Sequence, residues 1–434
     1  GSLNNLAFSG QTGNHIELFN NAGNLDATTV TFNGLTGGGA MLAQNFAIED
    51  KIVHKIDNGS LGFVLVKANH DFVTVNSFIN PATTIAKIQR GVDASSNGFT
   101  VNVGPGAFYD NVIVNKQVKI SGQGQGVTTV YPAFSDPNCM GAGGGSLCAG
   151  SSNVFLVEAD NVKIDSLTID GDNTALTSGI VAGGADLDAR NGIITNHGSG
   201  VYQNLEVYKV TVQNIYLRGM YASSGGTFNF HDNTVNNVQA NAGSIAMFNF
   251  GGAGAFTNNT VSGANDGIAS NHSKGTTYTG NMVMLSGSGI HTDNNGSGGG
   301  VADLIQNNTV TNSTLYGYGI WVFAPYLNVQ VLDNTVTNVD VGLTNAGQQA
   351  GVTTSFLRNT VDGMNKPNST GVYQTTSLFG FGSSNVTGIF NNNFVQNNTD
   401  AFFLEYQTGY TNGITVNNNS ITGNTNGVGL SAGG

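Results

Sequence analysis

The chain has 434 residues, 63 of them glycine, with 9% charged side chains and a formal net charge of −12. Its 14 Lys and Arg are scattered without a basic run, which excludes an electrostatic nucleic-acid interface. No apolar run approaches the roughly 18 residues of a membrane-spanning helix, so no membrane span is expected.

The chain opens with short strand-like runs. NLAFSG, HIELFN and TVTFNG make residues 1–45 a coil-like β segment that starts as though already inside a solenoid. Phe46 to Asp57 (FAIEDKIVHKID) carries Ile48, Ile52, Val53 and Ile56 at helical spacing and predicts a first helix. Gly62 to Val75 follows as two strands around a turn at Ala68-Asn69-His70, so residues 46–80 read as a helix-hairpin joint. Pro81 to Ser96, with Ile85, Ile88 and Val92 on one face, predicts a second helix; residues 81–98 would cap what comes next. From residue 99 onward strong strand alternation takes over, first in Thr100 to Pro132.

A glycine-rich excursion at 133–152 holds the two cysteines, Cys139 and Cys148, around MGAGGGSL. Two cysteines closing a short loop read as a disulfide, and hence an oxidising compartment; the alternative is two free thiols on a surface loop. With no further cysteine and no histidine nearby, metal binding does not fit this pair.

The C-terminal half is a repeat. An Asn-Asn-Thr-Val step places Val235, Val261, Val283, Val310, Val336, Val361, Val395 and Ile421 at spacings of 26, 22, 27, 26, 25, 34 and 26. A Gly-Ile step follows about ten residues later, giving Ile268, Ile290, Ile320, Leu343, Val372, Phe402 and Val428. A third apolar run often precedes the asparagines, as in ADLIQ from Ala302 and NVQVL from Asn328. Periods of roughly 20–50 residues mean a solenoid, propeller or array. Three short strands per coil of about 25 residues leave too little chain for a propeller blade of about 40, and no room for a helix. The fold class is therefore all-β: a right-handed parallel β-helix with inward aliphatic files and asparagines stacked side chain to side chain.

These steps resemble the right-handed parallel β-helix (pectin-lyase-like) proteins, including repeat-rich bacterial surface proteins of the adhesin type, over residues 99–434. That family includes lyases, hydrolases, epimerases, tailspikes and adhesins, so the resemblance implies a fold without choosing a function. TVNVGPGAFYDNVIV, from Thr100, also resembles the start of pectin methylesterases. The downstream aspartate and arginine motifs of those enzymes are absent, and their activity is not carried over.

Hydrolases of this fold need paired carboxylates, and lyases need carboxylate-held Ca²⁺ with a cationic base. The sequence has no Asp-Asp pair and no Gly-His-Gly, and its four arginines stand in unrelated contexts. The best catalytic group is His272, Lys274, His291 and Asp293, which aligning Gly267 with Gly289 brings to neighbouring coils. Asp170 and Asp172, with Asp160 and Asp165 upstream, offer oxygen ligands for Ca²⁺, as do Asp186 and Asp188; a solvated turn is the plainer reading of both. No cofactor is expected, with Ca²⁺ as the alternative.

Alternation turns the neighbours of the Gly-Ile file outward: Ala269, His291, Trp321, Thr344, Tyr373, Phe403 and Gly429, with Phe323 two residues beyond and Tyr221 extending the file. Exposed aromatics at coil spacing would stack on sugar rings or on another subunit, unless a loop such as 365–370 or 377–384 covers them. The next inward position, Ser270, Thr292, Val322, Asn345, Gln374 and Leu404, is polar enough to predict a strand already turning.

The expected function is an extracellular or cell-surface structural protein, a segment of an adhesin or a subunit of a filament or layer. It would assemble through β-helix ends with copies of itself or with flanking modules, and without catalysis. The alternative is a polysaccharide-acting enzyme (lyase, epimerase or hydrolase) or a glycan-binding β-helix.

Overall fold

Each coil is set by one residue forced into the left-handed region, just before the buried asparagine. Asp232, Asn258, Asn307, Asp333, Arg358, Asn392 and Asn418 all have φ of 53–57°, and Gly280 holds the place with φ 67°. Asn, Asp and Gly tolerate that conformation at least cost. The exception, Arg358, is held by a bidentate ion pair to Asp333, with both N–O distances 2.7 Å.

The structure, a computed structural model, describes residues 1–433 apart from 20–22, 79–85, 140–144, 149, 295–298 and 314–316. It divides into two units: residues 1–179 with 186–211, and residues 180–185 with 212–434.

In the first unit, strands of two residues pair in parallel: Ala7–Phe8 with Thr31–Phe32, Ile16–Glu17 with Ile52–Val53, Leu25–Asp26 with Val64–Leu65. They enclose a small core that includes Ile16, Val30, Phe32, Ile48, Ile52 and Val64. The first helix, α1, is Leu42–Glu49. It begins four residues before the predicted start, where the Met41 N–H donates to Gln44 Oε1 at 2.8 Å. The second half of the predicted helical face is a strand, because β-branched Ile52 and Val53 pair with Ile16 and Glu17. Buried Glu49 at the helix end contacts buried His54 at 2.6 Å.

The runs around Ala68-Asn69-His70 do turn, with Asn69 at φ 59°. They share a single antiparallel bridge, Lys67 to His70, and their ladders run in parallel to other strands. The second helix, α2, is Ile88–Ala94; the predicted residues 81–85, Ile85 included, lie outside the described residues. Gly91 of α2 sits so close to Val73 and Val101 that a Cβ there would lie 2.7 Å from each. Parallel ladders then run from His70–Val73 to Thr100–Val103, Lys119–Ser121 and Lys163–Asp170. Cys139 and Cys148 are joined in a disulfide, their Cα atoms 6.3 Å apart.

The second unit stacks coils of three strands, such as Leu304–Gln306, Thr309–Thr311 and Tyr318–Phe323. The register joins Val235, Val261, Val283, Val310, Val336, Val361, Val395 and Ile421 in one file, as the repeat requires. Ile268, Ile290, Ile320, Leu343, Val372, Phe402 and Val428 form another. The core is not purely aliphatic, however. The first-strand file holds Phe230, Phe256, Tyr278, Phe356 and Phe390, all fully buried, with Phe356 and Phe390 stacked at 4.6 Å.

Between the first two strands runs the asparagine ladder. Asn233, Asn259, Asn281, Asn308, Asn334, Asn359 and Asn393 each donate Nδ2 to the Oδ1 of the next, ending on Asn419, at 2.9–3.0 Å. The polar inward position differs from the reading of its sequence. Ser270, Thr292, Asn345 and Gln374 do not leave the strand but lie fully buried within it. They stay inside because partners satisfy them: Asn345 Nδ2 donates to Gln374 Oε1 at 2.9 Å, and Thr292 Oγ1 donates to buried Asp303.

Candidate functional site

The outward file beside the buried isoleucines is continuous. Tyr221, Phe248, Ala269, His291, Trp321, Thr344, Tyr373, Phe403 and Gly429 are register partners in sequence. Two residues along, Phe250 pairs with Asn271 and Asp293 with Phe323. Strand alternation thus sets two side-chain columns next to each other on one face.

The rings stack on themselves. His291 lies on Trp321 at 4.5 Å and 17°, and Tyr318 stacks against Trp321 at 5.3 Å and 23°. Phe379 meets Trp321 edge-on at 5.4 Å and also touches Tyr318, Phe323 and Tyr373. Phe379 comes from the 377–384 loop, one of the two loops expected as cover. The loop is a structured turn: the Leu378 N–H donates to Gly382 O at 2.9 Å, and the Phe381 N–H to Leu378 O at 3.0 Å. Gly380 and Gly382, at φ 97° and 107°, supply conformations a side chain would resist. Trp321 is therefore a wall held among His291, Tyr318 and Phe379, and the open aromatic is Phe381, 83% exposed at the lip.

Loop and columns enclose a cleft of about 400 Å³, lined by Asn271, His272, His291, Asp293, Trp321, Phe323, Leu378, Phe379 and Phe381. One side is polar. Asn271 Oδ1, His291 Nε2 and Trp321 Nε1 are buried there without a hydrogen-bond partner. Burial, slightly opposed by the Asp266 charge, lowers the His291 pKa and keeps its imidazole neutral at pH 7. The other side is apolar, built from Phe323, Phe379 and Phe381. Among the described lining residues Asp293 is the one carboxylate, which does not make the pair a glycosidase requires.

No family model matches the chain, and no curated protein matches its sequence. Solved structures similar to it include PfbA, a surface adhesin of Streptococcus pneumoniae, at TM-score 0.53 and 10% identity over 79% of this chain and 87% of that one. The family 28 exopolygalacturonase of Yersinia enterocolitica is similar at TM-score 0.52 and 10% identity, over 84% of this chain and 79% of the enzyme. The A-module of the Azotobacter vinelandii mannuronan C-5 epimerase AlgE4 aligns at TM-score 0.49 and 14% identity, over 84% of this chain and all of its own. The fold is a pectin-lyase-like parallel β-helix.

Other residues singled out in the sequence fall at different places on this β-helix. Lys274 is exposed on the turn after His272 and does not line the cleft. Tyr221 is buried, stacked on Phe248 at 4.6 Å with the Arg218 guanidinium over both rings; burial pushes its pKa up to about 12. Tyr373 donates its hydroxyl to Glu405, and Phe403 lies 5.9 Å from it along the file. Neither lines the cleft. Among the described residues no group of three or more His, Cys, Asp or Glu is placed to hold a metal ion. Asp170 accepts the Asp172 N–H, Asp186 accepts from Ser178, and Asp188 accepts the Asn173 N–H, as loop-ordering carboxylates do.

Phe379 and Phe381 were missed as lining residues. Their sign was the one long interval of the repeat, 34 residues between Val361 and Val395, with Leu-Phe-Gly-Phe-Gly inside it.

Proposed function

We propose that this β-helix is a carbohydrate-binding segment of a secreted or cell-surface protein, of the adhesin kind, that holds a glycan in the Phe381-lipped cleft without cleaving it. The observation that carries this reading is the two-sided lining. Sugar rings present hydroxyls at their rims and C–H groups on their faces. The cleft sets the polar side chains of Asn271, His272, His291 and Asp293 opposite phenylalanine rings. The disulfide and a fold shared with a surface adhesin and an exopolygalacturonase support the compartment and the ligand class.

Phe381→Ala is the direct test, because an exposed side chain can be removed without disturbing the fold. In a glycan-binding screen it should weaken the best ligand at least about tenfold, a loss of about 1.4 kcal/mol, with an unchanged melting curve. Binding that ignores both Phe381→Ala and His291→Ala would place the ligand elsewhere.

A further inference from the structure

The charge of the cleft narrows the ligand class, on the reading that the cleft binds a glycan. The second unit carries four Lys and Arg against nine Asp and Glu. Three of those four cations are engaged elsewhere. Arg218 lies over Tyr221 and Phe248, Arg358 holds Asp333, and Lys366 pairs with Asp340 at 2.9 Å. The fourth, Lys274, is outside the cleft lining. Residues 295–298 and 314–316, whose structure is not described, contain neither Lys nor Arg in their sequence.

The cleft itself presents a buried carboxylate, Asp293, a neutral imidazole, His291, and a second, exposed imidazole, His272. A uronate placed here would bring its carboxylate toward Asp293 with no Lys or Arg among the described lining residues to accept it. Carboxylate recognition relies on Arg or Lys at hydrogen-bond distance, and an uncompensated anion in a partly desolvated site is strongly disfavoured. Hydroxyls meet the opposite situation. They need no cation, because amide and imidazole side chains such as those of Asn271 and His272 in the lining both donate and accept.

We infer that the cleft selects uncharged glycans, built from neutral hexose or pentose units, and rejects polyuronates. The rejection comes from Asp293 in a lining without Lys or Arg.

Matched ligands test this directly. Uronate oligosaccharides are compared with the same oligosaccharides after reduction of their carboxylates to primary alcohols, by calorimetry at pH 7 and low salt. A panel of neutral plant and bacterial oligosaccharides runs beside them, with Phe381→Ala as the control for cleft occupancy. The expected result is cleft-dependent binding of neutral oligomers, with any uronate at least about tenfold weaker than its reduced twin. Asp293→Asn should narrow that gap, because it removes the repelling charge while keeping the side-chain shape. A uronate that binds as tightly as its reduced twin, and loses binding in Phe381→Ala, overturns the inference and leaves the glycan-binding reading standing. Failure of every glycan, neutral and charged, overturns both.

Discussion

Replacing Asn334 by alanine should destabilise its coil by about 3 kcal/mol, one of the two largest single-site losses we expect in the second unit. Asn334 is 1% exposed and its side chain makes four hydrogen bonds. Its Oδ1 accepts from the backbone N–H and the Nδ2 of Asn308, and its Nδ2 donates to Ile305 O and Asn359 Oδ1, all at 2.9 Å. Alanine leaves the Asn308 N–H and the Ile305 carbonyl buried and unpaired, at about 1–3 kcal/mol each. A long stack of repeats is stabilised coil by coil, so a single global transition is the wrong observable. Hydrogen exchange should lose protection across residues 305–360 while distant coils keep theirs. Gln330→Ala, at an exposed strand position, should stay within about 0.5 kcal/mol of the parent. An Asn334→Ala loss below 1 kcal/mol would mean the ladder orders the turns without stabilising them.

Gly319→Ala should cost about 2–3 kcal/mol through overpacking. A Cβ at this position would lie 2.4 Å from Val336 Cγ1 and 2.5 Å from Gly342 O. Gly267, Gly289, Gly342 and Gly371 meet the same obstacle, each against the valine of the Asn-Asn-Thr-Val strand and a backbone oxygen of the next coil. The glycine of the Gly-Ile step is there because two strands approach closely, not because the backbone turns. Val336→Ala in the Gly319→Ala background should recover part of the loss, because it removes one of the two clashes. Urea unfolding followed at coil-resolved exchange sites measures both variants. Equal stability of Gly319→Ala and parent would show that the coils separate at little cost.

Both predictions come from residues whose types were already patterned in the sequence. The interval of about 25 residues, the paired asparagines and the Gly-Ile step determined the solenoid, its register and the two facing columns. A stack of near-identical coils places like residues on like residues, so a one-dimensional pattern is enough to order it. His291 beside Trp321 and Asn271 beside Asp293 could be read in the same way, since strand alternation is local.

What only the tertiary structure decided lies off that pattern. The 377–384 loop falls where the repeat is interrupted, and its position over Trp321 follows from hydrogen bonds such as Ser384 N–H to Thr376 O at 2.9 Å. Sequence spacing alone left open whether the aromatic column faced solvent or a loop; Phe379 against Trp321 turned a platform into a walled cleft. Burial of Ser270, Thr292, Asn345 and Gln374 was likewise invisible, because polar side chains mark a surface unless distant partners satisfy them. Asp303, just before the strand Leu304–Gln306, and Gln374 do so from other coils. Local periodicity fixed which residues stack, and long-range hydrogen bonding and loop packing fixed which of them stay open to a ligand.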